Sequence, residues 1–349
     1  MKKDNHYDYI SIWIIWRNEG KVIANTLEYI LKQTYPLTFI EIIFVDGNSS
    51  DNSIQEIKRV LEGKITYKII NERDIKNPKW VNYGHSRARN VAIMHMDKKS
   101  KYMARIDADC RADKDRLLSL RETVKDSKSN IAGAGGPRYV ETEGNIWKLE
   151  LVLNYYFTST IMSLGNPAFC ERDVKYMSSV AWYNSIYKRE VLEKYRYDTT
   201  YPFNTDDIEI NYRITKDDLK FLYSKKARIY HRLDETISQF LKHLFIYGNG
   251  ATNTSRLHGE IVRIYIPISV LYVLYIVTSP LLWWASFLVF NNFWIAFIPL
   301  GLLFLLSIAV FIENIIKTKS WKSIYVLFLV PLHIFMYGWG VIYNIIKGK

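Results

Sequence analysis

At 349 residues the chain exceeds a typical single domain, and its apolar residues crowd toward the C-terminus, so a soluble domain followed by a membrane part is the first division to test. The formal charge of +12 suits an anionic membrane face or a phosphorylated substrate, and with no recognition motif or basic-aromatic repeat beside it nucleic acid is not an expected partner. Cys110 and Cys170, the 2 cysteines, supply neither a disulfide framework nor the C-x-x-C spacing of a zinc site, which points to a reducing compartment, and the polar start Met1-Lys-Lys-Asp-Asn-His carries no signal-peptide run.

Tyr9-Ile-Ser-Ile-Trp-Ile-Ile15 reads as a buried strand, Asn18-Glu-Gly20 as a turn, Val22 to Gln33 as a helix and Ile40-Glu-Ile-Ile-Phe-Val45 as the next strand. The loop Asp46-Gly-Asn-Ser-Ser-Asp51 leads into a helix through Leu61, and Ile65-Thr-Tyr-Lys-Ile-Ile70 is a third strand. A helix from about His85 to His95 precedes Tyr102-Met-Ala-Arg-Ile106, a strand that runs directly into Asp107-Ala-Asp109. Strands alternating with amphipathic helices predict an α/β domain with a mostly parallel sheet, whose ligands bind at the carboxyl ends of the strands, where these polar loops sit. Two carboxylates at i and i+2 just past a strand can converge on one divalent ion and the diphosphate it neutralises, although an isolated D-x-D also occurs on solvated turns.

Farther along, Gly133-Ala-Gly-Gly-Pro137 reads as a glycine-rich strand or a simple turn, and Asp206-Asp207 stands before a helix from Ile208 to Lys216. Ala227-Arg-Ile-Tyr230 is a strand followed by His231. From Thr236 to Tyr247 the apolar positions Phe240, Leu241, Leu244 and Phe245 suit a helix at a membrane surface and an ordinary core helix equally. From Arg263 onward the charged residues are Arg263, Glu313, Lys317, Lys319, Lys322, Lys347 and Lys349, and the stretches between them are long enough to cross about 30 Å of hydrocarbon. Three spans are expected, near Ile264–Phe290, Phe293–Ile316 and Ile324–Ile346. Lysines in the loop Lys317 to Lys322 place it, and the N-terminal domain, on the cytosolic side. Lys347 and Lys349 would then lie outside unless the third segment only dips into the membrane.

Taken in order, the first strand with Trp16-Arg-Asn-Glu19, the Asp46 to Asp51 loop, Arg87-Ala-Arg-Asn90, Asp107-Ala-Asp109 and Asp206-Asp207 resemble the inverting glycosyltransferases of family 2. The resemblance runs from about Tyr9 to Gly250, and the spans beyond it resemble the succinoglycan-type subgroup, which extends lipid-linked oligosaccharides. It implies a GT-A-like, Rossmann-type nucleotide-sugar domain followed by a transmembrane helical anchor: a cytosolic catalytic domain at 1–235, an interfacial amphipathic segment at 236–262 and a membrane domain at 263–349, in a multi-pass cell-membrane protein. The implied reaction moves a sugar from a nucleotide-diphosphate donor, expected to be a UDP-sugar, to a lipid-linked saccharide acceptor. Transfer to polyprenyl phosphate, processive polymer synthesis and a nonenzymatic nucleotide-binding scaffold are the alternatives. Processive members carry Q-x-x-R-W, whereas Gln239-Phe-Leu-Lys242-His243 lacks the Arg-Trp pair, which counts against a polymerase.

By the same resemblance Asp46 meets the nucleotide base, and Trp16, Asn18, Glu19 and Asp51 shape the nucleoside pocket. Asn18 and Asp51 also fit as helix caps. Arg87 and Arg89 would meet the donor phosphates, or lie on a solvated helix face. Asp107 contacts the ribose or the metal, Asp109 is the principal ligand of Mg2+ or Mn2+, and His231 is a third ligand or a structural histidine. Gly136 lies beside the donor sugar, Trp182 and Asp206 are on the acceptor side, and Asp207 is the catalytic base, with an N-cap as its alternative role.

Overall fold

The computed structural model describes residues 7–77, 80, 84–141, 149–181, 183–200, 205–231, 236–260 and 265–347. Contacts divide the chain into two compact units, Met1–Glu141 with Asn166–Arg232, and Thr142–Gly165 with Leu233–Lys349.

In the first unit β1 (Tyr9–Trp16) is apolar almost throughout because both of its faces are covered, as in the centre of a parallel sheet. α1 (Ile23–Leu31) buries Ile23, Leu27 and Ile30, one face at helical spacing, and delivers β2 (Ile40–Asp46), which pairs parallel with β1 so that Trp16 lies opposite Asp46. α2 (Ser53–Leu61) leads to β3 (Thr66–Asn71), parallel to β2 and only partly buried because it forms the sheet edge. α3 (His85–Met94) then carries the chain to the other side of β1, where β4 (Ser100–Arg105) pairs parallel with it. The chain therefore changes its direction of travel between β1 and β4, the switch point at which open α/β sheets form a ligand crevice.

The remaining elements in chain order are β5 (Cys110–Ala112), α4 (Arg116–Val124), β6 (Ile131–Gly135), β7 (Arg138–Tyr139), α5 (Leu149–Phe157), β8 (Tyr176–Met177), β9 (Ser185–Lys188), α6 (Arg189–Lys194), α7 (Asp206–Lys216), β10 (Lys220–Tyr223) and β11 (Ile229–His231). Among the described residues the main sheet runs β3-β2-β1-β4-β9-β6-β10-β8. β9 is antiparallel to both β4 and β6, and β8 to β10, so the sheet is mixed, with its parallel half on the side of the expected ligand loops. A small second sheet, β5-β11-β7, follows the D-x-D turn and sets Cys110 opposite His231. His231 is thus the last residue of a strand rather than the residue after one.

The second unit is helical: α5, α8 (Ile237–Leu257), α9 (Tyr265–Phe290), α10 (Ile298–Thr318) and α11 (Val326–Lys347). Tyr265–Phe290, Phe293–Thr318 and Trp321–Lys347 are each long and apolar enough to cross a membrane. In the segment after Thr236, Phe240 and Leu244 are fully buried in a cluster with Val152, Tyr156, Val310, Val326 and Val330, so this face is taken by protein. α8 approaches α11 closely; a Cβ on Gly248 would sit 2.0 Å from the Tyr337 carbonyl oxygen, and one on Gly340 would sit 2.1 Å from that of Phe245. Beside this contact the Asn344 amide donates to the side-chain oxygens of Asn253 at 2.9 Å and Asn249 at 3.0 Å, so small residues and a side-chain amide hold the two helices together. Glu313, the acid within α10, accepts from Ser159 Oγ at 2.5 Å, Thr160 N at 2.6 Å and Lys317 Nζ at 2.8 Å, which fastens the 142–165 segment to this unit.

Candidate active site

The site lies at the carboxyl ends of β1, β2 and β4. Asp46 closes β2, 2 % exposed, with Oδ1 accepting from Ser49 N at 2.9 Å and Ser49 Oγ at 2.6 Å. Trp16 closes β1 with its ring edge-on to Phe44, and its buried Nε1 meets no acceptor among the described residues. The two loops are stitched to each other. Asn18, at φ 59°, accepts through Oδ1 from Ser50 N at 2.8 Å, while Gly20 N donates to Asp51 Oδ2 at 2.8 Å and Glu19 N to Ser53 Oγ at 3.0 Å. Val22 and Asn52 hold the N-cap positions; Asn18 Oδ1 and Asp51 Oδ2 join one loop to the other, while Asp51 Oδ1 accepts from Ser53 N at 3.1 Å at the start of α2, a capping contact.

Carboxylates crowd beside these loops. Burial first, then the charges of Asp109, Asp51 and Asp107, push the Glu19 carboxyl up to about 7. Burial also raises Asp107, against the pull of His231 and of Arg105 and Arg89. Asp109 is the open member, with a side chain 41 % exposed, and its oxygens lie 3.1 and 3.2 Å from His231 Nε2. Burial pushes Asp109 up, yet the charge and hydrogen bond of His231 outweigh it and hold the carboxyl below its ordinary value, while His231 is raised in return. Asp109 and His231 bring carboxylate oxygens and an imidazole nitrogen to one place, with the charge of Asp107 acting on both, a donor set that fits a divalent ion.

The arginines are not on a solvated face. Arg87, 5 % exposed, donates to the carbonyl oxygens of Ile75 at 2.5 Å and Trp80 at 3.3 Å and lies 3.6 Å from Glu72, so it fastens the approach to α3. Arg89, 4 % exposed, forms an ion pair with Asp206. Asp206 itself is 1 % exposed and also accepts from Ser86 Oγ at 3.3 Å. Its carboxylate is thus enclosed by Arg89 and Ser86 at the start of α7. Asp207, half-buried in the first turn of α7, has Oδ1 accepting from Ile208 N at 2.8 Å; Thr205, not Asp207, is the N-cap. Burial and then the charge of Arg105 lower Arg89 to about 10, against the charges of Tyr197, Asp107 and Asp207.

Gly136 is buried, but not beside an open space: a Cβ there would meet the Ala227 carbonyl oxygen at 2.1 Å and Asn184 Nδ2 at 2.8 Å. The room its missing side chain leaves is filled by the fold's own backbone. Trp182 lies outside the described residues. Arg105 escaped the reading of the sequence: buried in β4, it lines a small cleft with Trp13, Ile15, Arg89, Ile106 and Asp107, donates to Tyr197 OH at 2.9 Å and stacks 5.0 Å from the Trp13 ring. Its signal was an arginine inside an apolar strand, two residues before Asp107 and so on the same face by strand alternation. Asn90 clamps the Tyr197 backbone, donating to its carbonyl at 2.8 Å and accepting from its N–H at 2.9 Å.

A sequence model of the family described as Glycosyl transferase family 2 matches residues 11–196. The Glycosyltransferase GlyG of Streptococcus pneumoniae serotype 4 is 26 % identical over 140 residues, which are 40 % of this chain and 43 % of that protein; less than half of that relative's length is therefore spanned. Among solved structures, the mannosyltransferase PcManGT from Pyrobaculum calidifontis, in complex with GDP-Man and Mn2+, superposes with a TM-score of 0.52 at 14 % identity, covering 74 % of this chain and 66 % of that one. At that identity the likeness speaks to the fold, a GT-A α/β domain.

Proposed function

The chain belongs to glycosyl transferase family 2, and from that premise we propose that it is an inverting glycosyltransferase acting at the cytosolic face of a membrane. The donor is a nucleotide-diphosphate sugar and the acceptor a saccharide on a lipid carrier. The observation that carries this reading is the gathering of Glu19, Asp51, Asp107 and Asp109 at the crevice between β1 and β4, with His231 against Asp109. Asp107, Asp109 and His231 would hold Mg2+ or Mn2+, which when bound neutralises the charge gathering on the departing diphosphate. Asp46, with Trp16 and the stitched Asn18 to Asp51 loops, forms the nucleoside wall.

In this reading Asp207 accepts the proton of the acceptor hydroxyl as that oxygen forms its bond to the anomeric carbon and the carbon–diphosphate bond breaks. Arg89 acts through Asp206: the buried pair fixes the start of α7, and with it the carboxylate next in sequence. The apolar helices support a membrane setting for a lipid-linked acceptor. The deciding experiment incubates the purified full chain with a panel of nucleotide sugars and lipid-linked saccharides and follows products by mass spectrometry. One added hexose mass on the saccharide is expected; transfer to polyprenyl phosphate alone, a long polymer, or no product would each reject it.

A further inference from the structure

We propose that Asp109, Cys110 and His231 form a site for thiophilic divalent ions, Zn2+ foremost, which competes with the hard ion at the D-x-D turn. The proposal rests on the reading of that turn as a metal site and adds a ligand to it, the Cys110 thiol. Ligand atoms of these three residues lie within 4.8 Å of one another. Tetrahedral zinc with bonds of about 2.0–2.3 Å needs its donors roughly 3–4 Å apart, so the set closes on the ion by small side-chain rotations. Two of the donors are held by strands: Cys110 and His231 are directly opposed in the antiparallel pair of β5 and β11, which points both side chains to one face.

The burial pattern fits an ion entering from one side. Cys110 and His231 are 1 % and 5 % exposed, whereas Asp109 is open. Cys110 Sγ already points its proton at Asp109 Oδ1, 3.9 Å away. His231 keeps Nε2 on Asp109 while its buried Nδ1 meets no hydrogen-bond partner among the described residues. Oxygen, sulfur and nitrogen from three side chains form a mixed donor set, better matched to zinc than to magnesium or manganese. A hard ion uses the carboxylates and leaves the thiol protonated. A thiophilic ion exchanges the thiol proton, released to solvent, for a metal–sulfur bond, with no change in oxidation state. Three protein donors then hold the ion where Asp109 is needed, and turnover supported by Mg2+ or Mn2+ stops.

Co2+ added to the purified full chain in detergent tests this directly, because cobalt bound to a thiolate shows a sulfur-to-metal charge-transfer band that oxygen and nitrogen ligands do not produce. The band is expected in the native chain and is expected to bleach on adding equimolar Zn2+. Only 2 cysteines exist, so the band must persist in Cys170→Ser, which assigns it to Cys110 without relying on a variant at the site. In Cys110→Ser the band should vanish and Zn2+ affinity, measured against a chromophoric chelator, should fall by about tenfold or more. A cobalt adduct without the sulfur band, a band lost in Cys170→Ser, or Zn2+ affinity unchanged in Cys110→Ser overturns the site. No sugar donor enters these measurements, so their failure leaves the proposed reaction standing, and failure of sugar transfer leaves the ion site standing.

Discussion

Asp206→Asn removes one charge from a pair sealed inside the protein, and the fold makes its cost calculable. Asp206 and Arg89 are 1 % and 4 % exposed, so solvent cannot replace the lost partner. Breaking a buried pair from one side costs about 3–5 kcal/mol, because the remaining charge stays desolvated. Two features set the value near the lower end, about 3 kcal/mol. The asparagine oxygen still accepts from the guanidinium, and the charges of Asp107 and Asp207 still act on Arg89. For a folding unit of this size roughly 2–4 °C accompanies each kcal/mol, so melting should fall by about 6–12 °C. Differential scanning fluorimetry of the full chain in detergent reads this shift. An Arg89→Met, Asp206→Leu double variant, which removes both charges, should melt above either single variant. A melting temperature for Asp206→Asn within about 1–2 °C of the native chain would refute the argument that this carboxylate is a structural anchor.

Asp207→Asn keeps shape and removes basicity, so turnover should drop by about 10²–10⁴ with donor binding, read by calorimetry, nearly unchanged; near-native turnover or retained anomeric configuration in the product's NMR spectrum rejects the base assignment. Chelation should abolish turnover and added Mn2+ should restore it, and Asp109→Ala should stay inactive while melting normally; full turnover with metal content measured as zero contradicts the metal role. Gly136→Ala forces a Cβ against the Ala227 carbonyl and should cost about 1–3 kcal/mol in chemical denaturation, whereas unchanged stability with weakened donor binding would return that glycine to the sugar pocket. A chain ending at residue 260 uncovers Tyr156, Phe240 and Leu244, about 1.5–3 kcal/mol each, and should aggregate in size-exclusion chromatography; a monodisperse truncated chain would count against the packing of the helical unit.

Much of the architecture was legible because it is written at short range. Strand β1, the D-x-D turn after β4 and the apolar spans follow from runs and periods within a few residues, and the structure shifts their ends only slightly. The resemblance assembled the same local motifs in order, and the family match rests on 11–196. Partners distant in sequence were not legible. Asp109 and His231 are 122 positions apart, and no local pattern announces that Cys110 will face His231 across a strand pair. Arg87 and Arg89 read as cations for the donor phosphates or for a solvated helix face, yet the tertiary fold spends Arg87 on the Ile75 and Trp80 carbonyls, Arg89 on Asp206 and the neighbouring Asn90 on Tyr197.

What the sequence by itself determined was the kind of chain this is: an α/β domain with carboxylates at strand ends, followed by helices long and apolar enough for a membrane. Those traits depend on hydrophobic period and on neighbours one or two residues apart, which the chain carries whatever it packs against. Only the tertiary structure decided which carboxylates are buried and which are open, that the space at Gly136 belongs to Ala227, and that the 142–165 segment joins the helical unit through Glu313. The physical reason is that burial and pairing are properties of two surfaces brought together, and a sequence lists only one surface at a time.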